Sequence, residues 1–130
     1  MLNKTFLGID HPAIACRDTA AMIRWYCEVL GMQVIASNGQ TPPTALVGYG
    51  GMVSIEIMPV KDDGPLPVDV PRNCQGLRHL ALRVDDFAAA RSHLEKHGVK
   101  LMFEPVAAVG GGTIASFRDV EGNELQIVQR

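Results

Sequence analysis

Two histidines and two glutamates return in register along the chain. His11 is followed 45 residues later by Glu56, and His79 is followed 45 residues later by Glu124. The chain therefore repeats with a period of 68. Imidazole and carboxylate together suit a divalent first-row metal such as zinc, nickel, manganese or iron. Two His and two Glu would leave one or two coordination positions open, as a catalytic site must. Alternation within each strand cannot decide the matter. Glu56 lies between Ile55 and Ile57, and Glu124 precedes Leu125, a pattern that fits a solvated outer face equally well. The doubled spacing is what argues for one shared metal site built from His11, Glu56, His79 and Glu124.

Such a site needs strands to hold it, because a sheet supplies rigid, convergent positions. The pattern predicts a strand over 7–16, with Ile9, His11, Ala13 and Ala15 on one face. Asp18 or Thr19 would cap a helix carrying Met22, Trp25, Val29 and Leu30, which Gly31 would end. Strands follow over 32–37, 44–49 and 52–58, with Gly50-Gly51 as a hairpin turn. Ser54, Glu56 and Met58 share one face of the last. The stretch 59–76 contains Pro59, Pro65, Pro67 and Pro71 and reads as a linker. The order then repeats. A strand is expected over 77–84, a helix from Asp85 to Gly98 with Phe87, Ala90 and Leu94 buried, and strands over 99–103, 113–118 and 123–128. Gly110-Gly111-Gly112 lacks the Lys-Ser/Thr of a phosphate loop and reads as a mobile loop. His93 and His97 read as a solvated helix face. The fold class is α+β: two tandem βαβββ modules, about 5–58 and 77–130, in a single domain of residues 1–130.

Composition bounds the function. The chain has 130 residues, 47% of them apolar and 20% charged, an ordinary globular balance. A net charge of −2 and a pI near 6.0 argue against nucleic acid as a partner. No apolar run is long enough for a membrane span. Cys16, Cys27 and Cys74 are odd in number and lack metal-knuckle spacing, so reduced thiols and a cytoplasmic location are expected.

Two segments carry a resemblance. Trp25-Tyr26-Cys27-Glu28-Val29-Leu30-Gly31-Met32 and Phe117-Arg118-Asp119-Val120-Glu121-Gly122-Asn123-Glu124 are similar to segments of the vicinal oxygen chelate superfamily. That superfamily includes glyoxalase I, methylmalonyl-CoA epimerase, extradiol dioxygenases and bleomycin resistance proteins. The resemblance implies a cupped, partly closed mixed sheet around a metal, and a homodimer. It places His11, Glu56, His79 and Glu124 at the four ligand positions of glyoxalase I. By that likeness the metal, zinc or nickel first and iron or manganese next, stabilises an enediolate of a small substrate with two adjacent oxygens. Glu124 is then the candidate base and Glu56 the second. Glutathione-using glyoxalases resemble one another in an arginine four residues after the first ligand. Here Ala15 stands there, and the second module carries Arg83 instead, a candidate for holding an anionic group of the substrate.

Two alternatives stand beside the lyase or isomerase. An extradiol-type dioxygenase would use His11, His79 and Glu124 with iron, leaving Glu56 as an extra acid. A metal-free binding or resistance protein would not need the four ligands at all.

Overall fold

The computed structural model describes residues 5–62 and 71–130. Part of the expected linker, with Pro65 and Pro67, lies outside the described residues. The chain divides into two compact units, Met1–Asp63 and Gly64–Arg130.

The first unit runs β1 (Ala13–Cys16), α1 (Thr19–Leu30), β2 (Gln33–Ser37), β3 (Ala45–Tyr49) and β4 (Met52–Pro59). Its strands form one open, mixed sheet in the order β1-β4-β3-β2. β1 lies parallel to β4, and the other pairs are antiparallel. The helix is the crossover between β1 and β2. Asp18 caps it, its carboxylate accepting from the Ala21 N–H at 3.0 Å. Gly31 closes it in the left-handed conformation at φ 71°, where a side chain would be strained. Thr19, Met22, Tyr26 and Val29 form its buried stripe. Tyr26, not Trp25, takes the core position. Trp25 lies half-buried with its ring edge-on to Tyr26 at 5.3 Å. On the sheet, Ile55 and Ile57 enter the core while Ser54, Glu56 and Met58 stay half-exposed on the other face.

The second unit repeats that order: β5 (Leu80–Arg83), α2 (Phe87–Lys96), β6 (Val106–Ala107), β7 (Thr113–Arg118) and β8 (Glu124–Gln129). Its sheet is β5-β8-β7-β6, again open, with β5 parallel to β8. Each unit is therefore βαβββ and the class is α+β. Asp86, rather than Asp85, caps α2 by accepting from the Ala89 N–H at 2.9 Å. Leu94 is the fully buried residue of that helix.

Both leading strands are shorter than the apolar patterns suggest. β1 starts at Ala13 because Pro12 has no N–H for the ladder. Phe6, Leu7 and Ile9 ahead of it are exposed. Residues 99–103 form no strand. There the Met102 N–H donates to the Ser116 carbonyl at 2.7 Å, and pairing with β7 begins only at Val106, after Pro105. The triple-glycine loop is held down: Arg130 donates to the Val109 and Gly111 carbonyls at 2.6 and 2.9 Å. Among the described residues, no helix is long and apolar enough to cross a membrane.

Candidate functional site

Each unit brings one of the repeated histidines to its glutamate. In the first, Glu56 sits on β4 beside Ala13 of β1. Its N–H donates to the Pro12 carbonyl at 3.0 Å, which ties the segment carrying His11 to the strand carrying Glu56. His11 lies two residues before Ala13 and so on the same face of the sheet. From there its far ring nitrogen, Nε2, reaches to 3.5 Å from Oε2 of Glu56. The other ring nitrogen, Nδ1, meets Oδ2 of Asp10 at 2.6 Å. That Asp10 bond, with the charges of Asp10 and Glu56 behind it, raises the imidazole above its ordinary value of 6.5, against partial burial. It also orients the neutral ring: a proton on Nδ1 leaves the Nε2 lone pair facing Glu56.

In the second unit the register is different. Leu80 pairs with Leu125, so one rung back His79 stands directly across from Glu124. The near nitrogen now faces the carboxylate, with His79 Nδ1 3.8 Å from Glu124 Oε2. The side chain of Glu124 is only 7% exposed, which excludes a solvated outer face for it. Both of its oxygens accept hydrogen bonds. Oε1 accepts from Arg72 Nε at 2.8 Å, and Oε2 accepts from Arg72 Nη2 at 2.9 Å and from the Ser116 hydroxyl at 2.8 Å. Gln126 in turn donates to Ser116 Oγ at 3.1 Å. Arg72 holds the Glu124 carboxyl below the usual carboxylate range. Ser116 adds to this, and burial opposes it.

The sequence pattern singles out neither Asp10 nor Arg72. Asp10 is the acid immediately before His11, which is its only local signal. Arg72 falls in the proline-rich stretch expected to be a linker, and no local signal marks it. Gln126, two residues after Glu124, shares its strand face by alternation, whereas Ser116 is brought there by the pairing of β7 with β8. Arg83 is exposed on β5, on the face that holds His79. His93 and His97 are both exposed, with His97 Nδ1 against the His93 carbonyl at 2.9 Å.

Two donors of one cation, each about 2.1 Å from it, stand about 3–3.5 Å apart. The His11–Glu56 pair is already close to that separation, and the His79–Glu124 pair is only slightly wider. The donor types and the spacing within each pair thus fit a divalent cation. Within neither unit do three His, Cys, Asp or Glu side chains gather as a metal-holding group among the described residues. Each unit brings together one imidazole and one carboxylate.

Comparison with known proteins gives a consistent result. The model of the Glyoxalase/Bleomycin resistance protein/Dioxygenase superfamily matches residues 8–127. The uncharacterized protein YaeR of Escherichia coli strain K12 is 30% identical over 127 residues, covering 94% of this chain and 95% of that protein. The lactoylglutathione lyase of Salmonella typhimurium is 26% identical over 124 residues, 92% of this chain and 90% of the lyase. The crystal structure of a glyoxalase family protein from Enterococcus faecalis is similar at a TM-score of 0.75 and 25% identity, covering 95% of this chain and 98% of that one.

Proposed function

This chain belongs to the Glyoxalase/Bleomycin resistance protein/Dioxygenase superfamily, and on that premise we propose that it is a divalent-metal-dependent lyase or isomerase of the glyoxalase type. Its substrate is a small molecule with two adjacent oxygens. His11 with Glu56, and His79 with Glu124, would hold the cation, zinc or nickel first and iron or manganese next. The observation that carries this reading is the duplicated pair itself, with the imidazole nitrogen 3.5 Å from the carboxylate in one unit and 3.8 Å in the other.

When bound, a divalent cation would supply the positive charge that makes a C–H beside the substrate oxygens acidic. The protein does the rest. Glu124 is the proposed base, with Glu56 the second carboxylate. The base takes the proton from the carbon that bears one oxygen and returns it to its neighbour. Asp10 keeps the His11 lone pair directed at Glu56. Arg83, exposed on the His79 face of β5, is the proposed contact for an anionic group on the substrate. With Ala15 four residues after His11, we propose a thiol adduct other than glutathione's as a substrate to test alongside it. The active species in this reading is a cytoplasmic homodimer. Glu56 speaks for the lyase over the iron dioxygenase, because it lies close enough to His11 to be a fourth donor rather than a bystander.

The test is metal analysis of purified protein, followed by a screen of methylglyoxal hemithioacetals of several thiols with the nickel and zinc forms. About one equivalent of metal per site and isomerase activity are expected. Failure to regain more than roughly a tenth of an equivalent on incubation would overturn the reading in favour of a metal-free binding protein.

A further inference from the structure

The Glu124 carboxylate is already occupied by a cation: the guanidinium of Arg72, bound through both nitrogens of its fork. We infer that Arg72 is an internal competitor of the metal, holding the Glu124 ligand in the metal-free protein and giving it up when a divalent cation binds. The inference rests on the proposed role of Glu124 as a ligand.

Three features place Arg72 for this exchange. Residues 71–74 form a turn closed by the Cys74 N–H on the Pro71 carbonyl at 3.1 Å. Arg78 braces that turn, donating to the carbonyls of Pro71, Gln75 and Gly76 at 3.3, 3.1 and 3.3 Å. The guanidinium carbon lies 4.7 Å from the centre of the Phe103 ring, an aromatic face that attracts a cation.

Exposure differs across the pair. The Glu124 side chain is 7% exposed and the Arg72 side chain 48%. The carboxylate is buried and held also by Ser116, and the guanidinium is half-exposed. Arg72 can therefore swing out at little desolvation cost, whereas Glu124 cannot leave. A cation binding Glu124 would compete with the two charge-assisted hydrogen bonds from Arg72. Arg72 thus lowers metal affinity and keeps a buried carboxylate paired while the metal is away.

The experiment compares nickel binding by wild type, Arg72→Met and Arg72→Lys. It uses competition with a chromophoric chelator and the nickel-induced rise in melting temperature. Arg72→Met is expected to bind nickel at least about tenfold more tightly than wild type and to gain more melting temperature from it. Arg72→Lys, a single point charge without the fork, should fall between them and keeps the test readable if the Met variant folds poorly. Equal or weaker binding by Arg72→Met, with the wild type binding nickel, would overturn this inference and leave the proposed function standing. Nickel binding by Arg72→Met but not by wild type would support it. Binding by none of the three would remove both.

Discussion

His11 reaches Glu56 with its far nitrogen, Nε2, at 3.5 Å, because the parallel ladder sets Glu56 beside Ala13 and leaves the histidine two residues back. In the second unit the ladder is shifted by two residues, and His79 faces Glu124 with its near nitrogen, Nδ1, at 3.8 Å. A shift of two keeps every side chain on its own face. The repeat therefore preserves which residues meet while changing how they meet. Only the first histidine has a carboxylate, Asp10, on its remaining nitrogen among the described hydrogen bonds.

Asp10 should set the titration of His11. The wild-type imidazole titrates above 6.5, chiefly through its hydrogen bond to Asp10. In Asp10→Asn, ring-proton NMR should show the His11 midpoint moving down. A raised folded-state pKa stabilises the fold fully below the unfolded value, and that contribution is lost as pH rises through the folded value. Any stability difference between wild type and Asp10→Asn should therefore shrink on the alkaline side.

The Arg72–Glu124 pair carries the opposite sign. Glu124 titrates below its ordinary value of 4.5, with Arg72 the first cause. Its contribution is present above 4.5 and fades as pH falls through the lowered value. In the absence of metal, urea unfolding near pH 7 should find Arg72→Met less stable than wild type by about 1 kcal/mol, since water screens the half-exposed guanidinium. The two should converge as pH falls through that lowered value. A difference independent of pH would mean that Arg72 acts through Phe103 packing alone.

Removing a proposed ligand should have a strong effect, and an equal one in the two units. Glu56→Gln and His79→Ala should each weaken nickel or zinc affinity by more than about tenfold in chelator competition. Both should leave the far-ultraviolet circular dichroism unchanged. If the variant in one unit weakened binding and the variant in the other did not, one cation would not be using both pairs.

Gly112 should tolerate no side chain. It has φ 99°, and a Cβ there would run into the Gln129 carbonyl of β8. Gly31 has φ 71° with open space around it. Thermal melts should show Gly31→Ala costing about 1 kcal/mol, the strain of the left-handed backbone alone. Gly112→Ala should cost about 3 kcal/mol, since the strand edge must also move.

The Phe117–Glu124 segment shows why a motif can be legible before its geometry is. Asp119 is buried, and its carboxylate accepts from the Glu121 and Asn123 N–H groups at 3.0 and 2.9 Å and from the Asn123 amide at 2.8 Å. These bonds span two to four residues, so a short sequence string is enough to specify the turn. The turn then delivers Glu124 to the first position of β8.

What the sequence determined by itself was of this local or periodic kind. It held the duplication, the two His/Glu pairs, the start of α1 at Asp18 or Thr19 and its end at Gly31, and the βαβββ order of each half. Those depend on spacing along the chain, which a repeat displays directly. The tertiary structure alone decided the two-residue shift between the parallel ladders, the choice of Tyr26 over Trp25 for the core, and the missing strand at 99–103. It also decided that Arg72 lies on Glu124. Each of these depends on residues far apart in sequence competing for one partner or one place, and that outcome is fixed by packing and hydrogen-bond geometry, not by periodicity. Arg72 and Glu124 are 52 positions apart, and nothing local to either records that they meet.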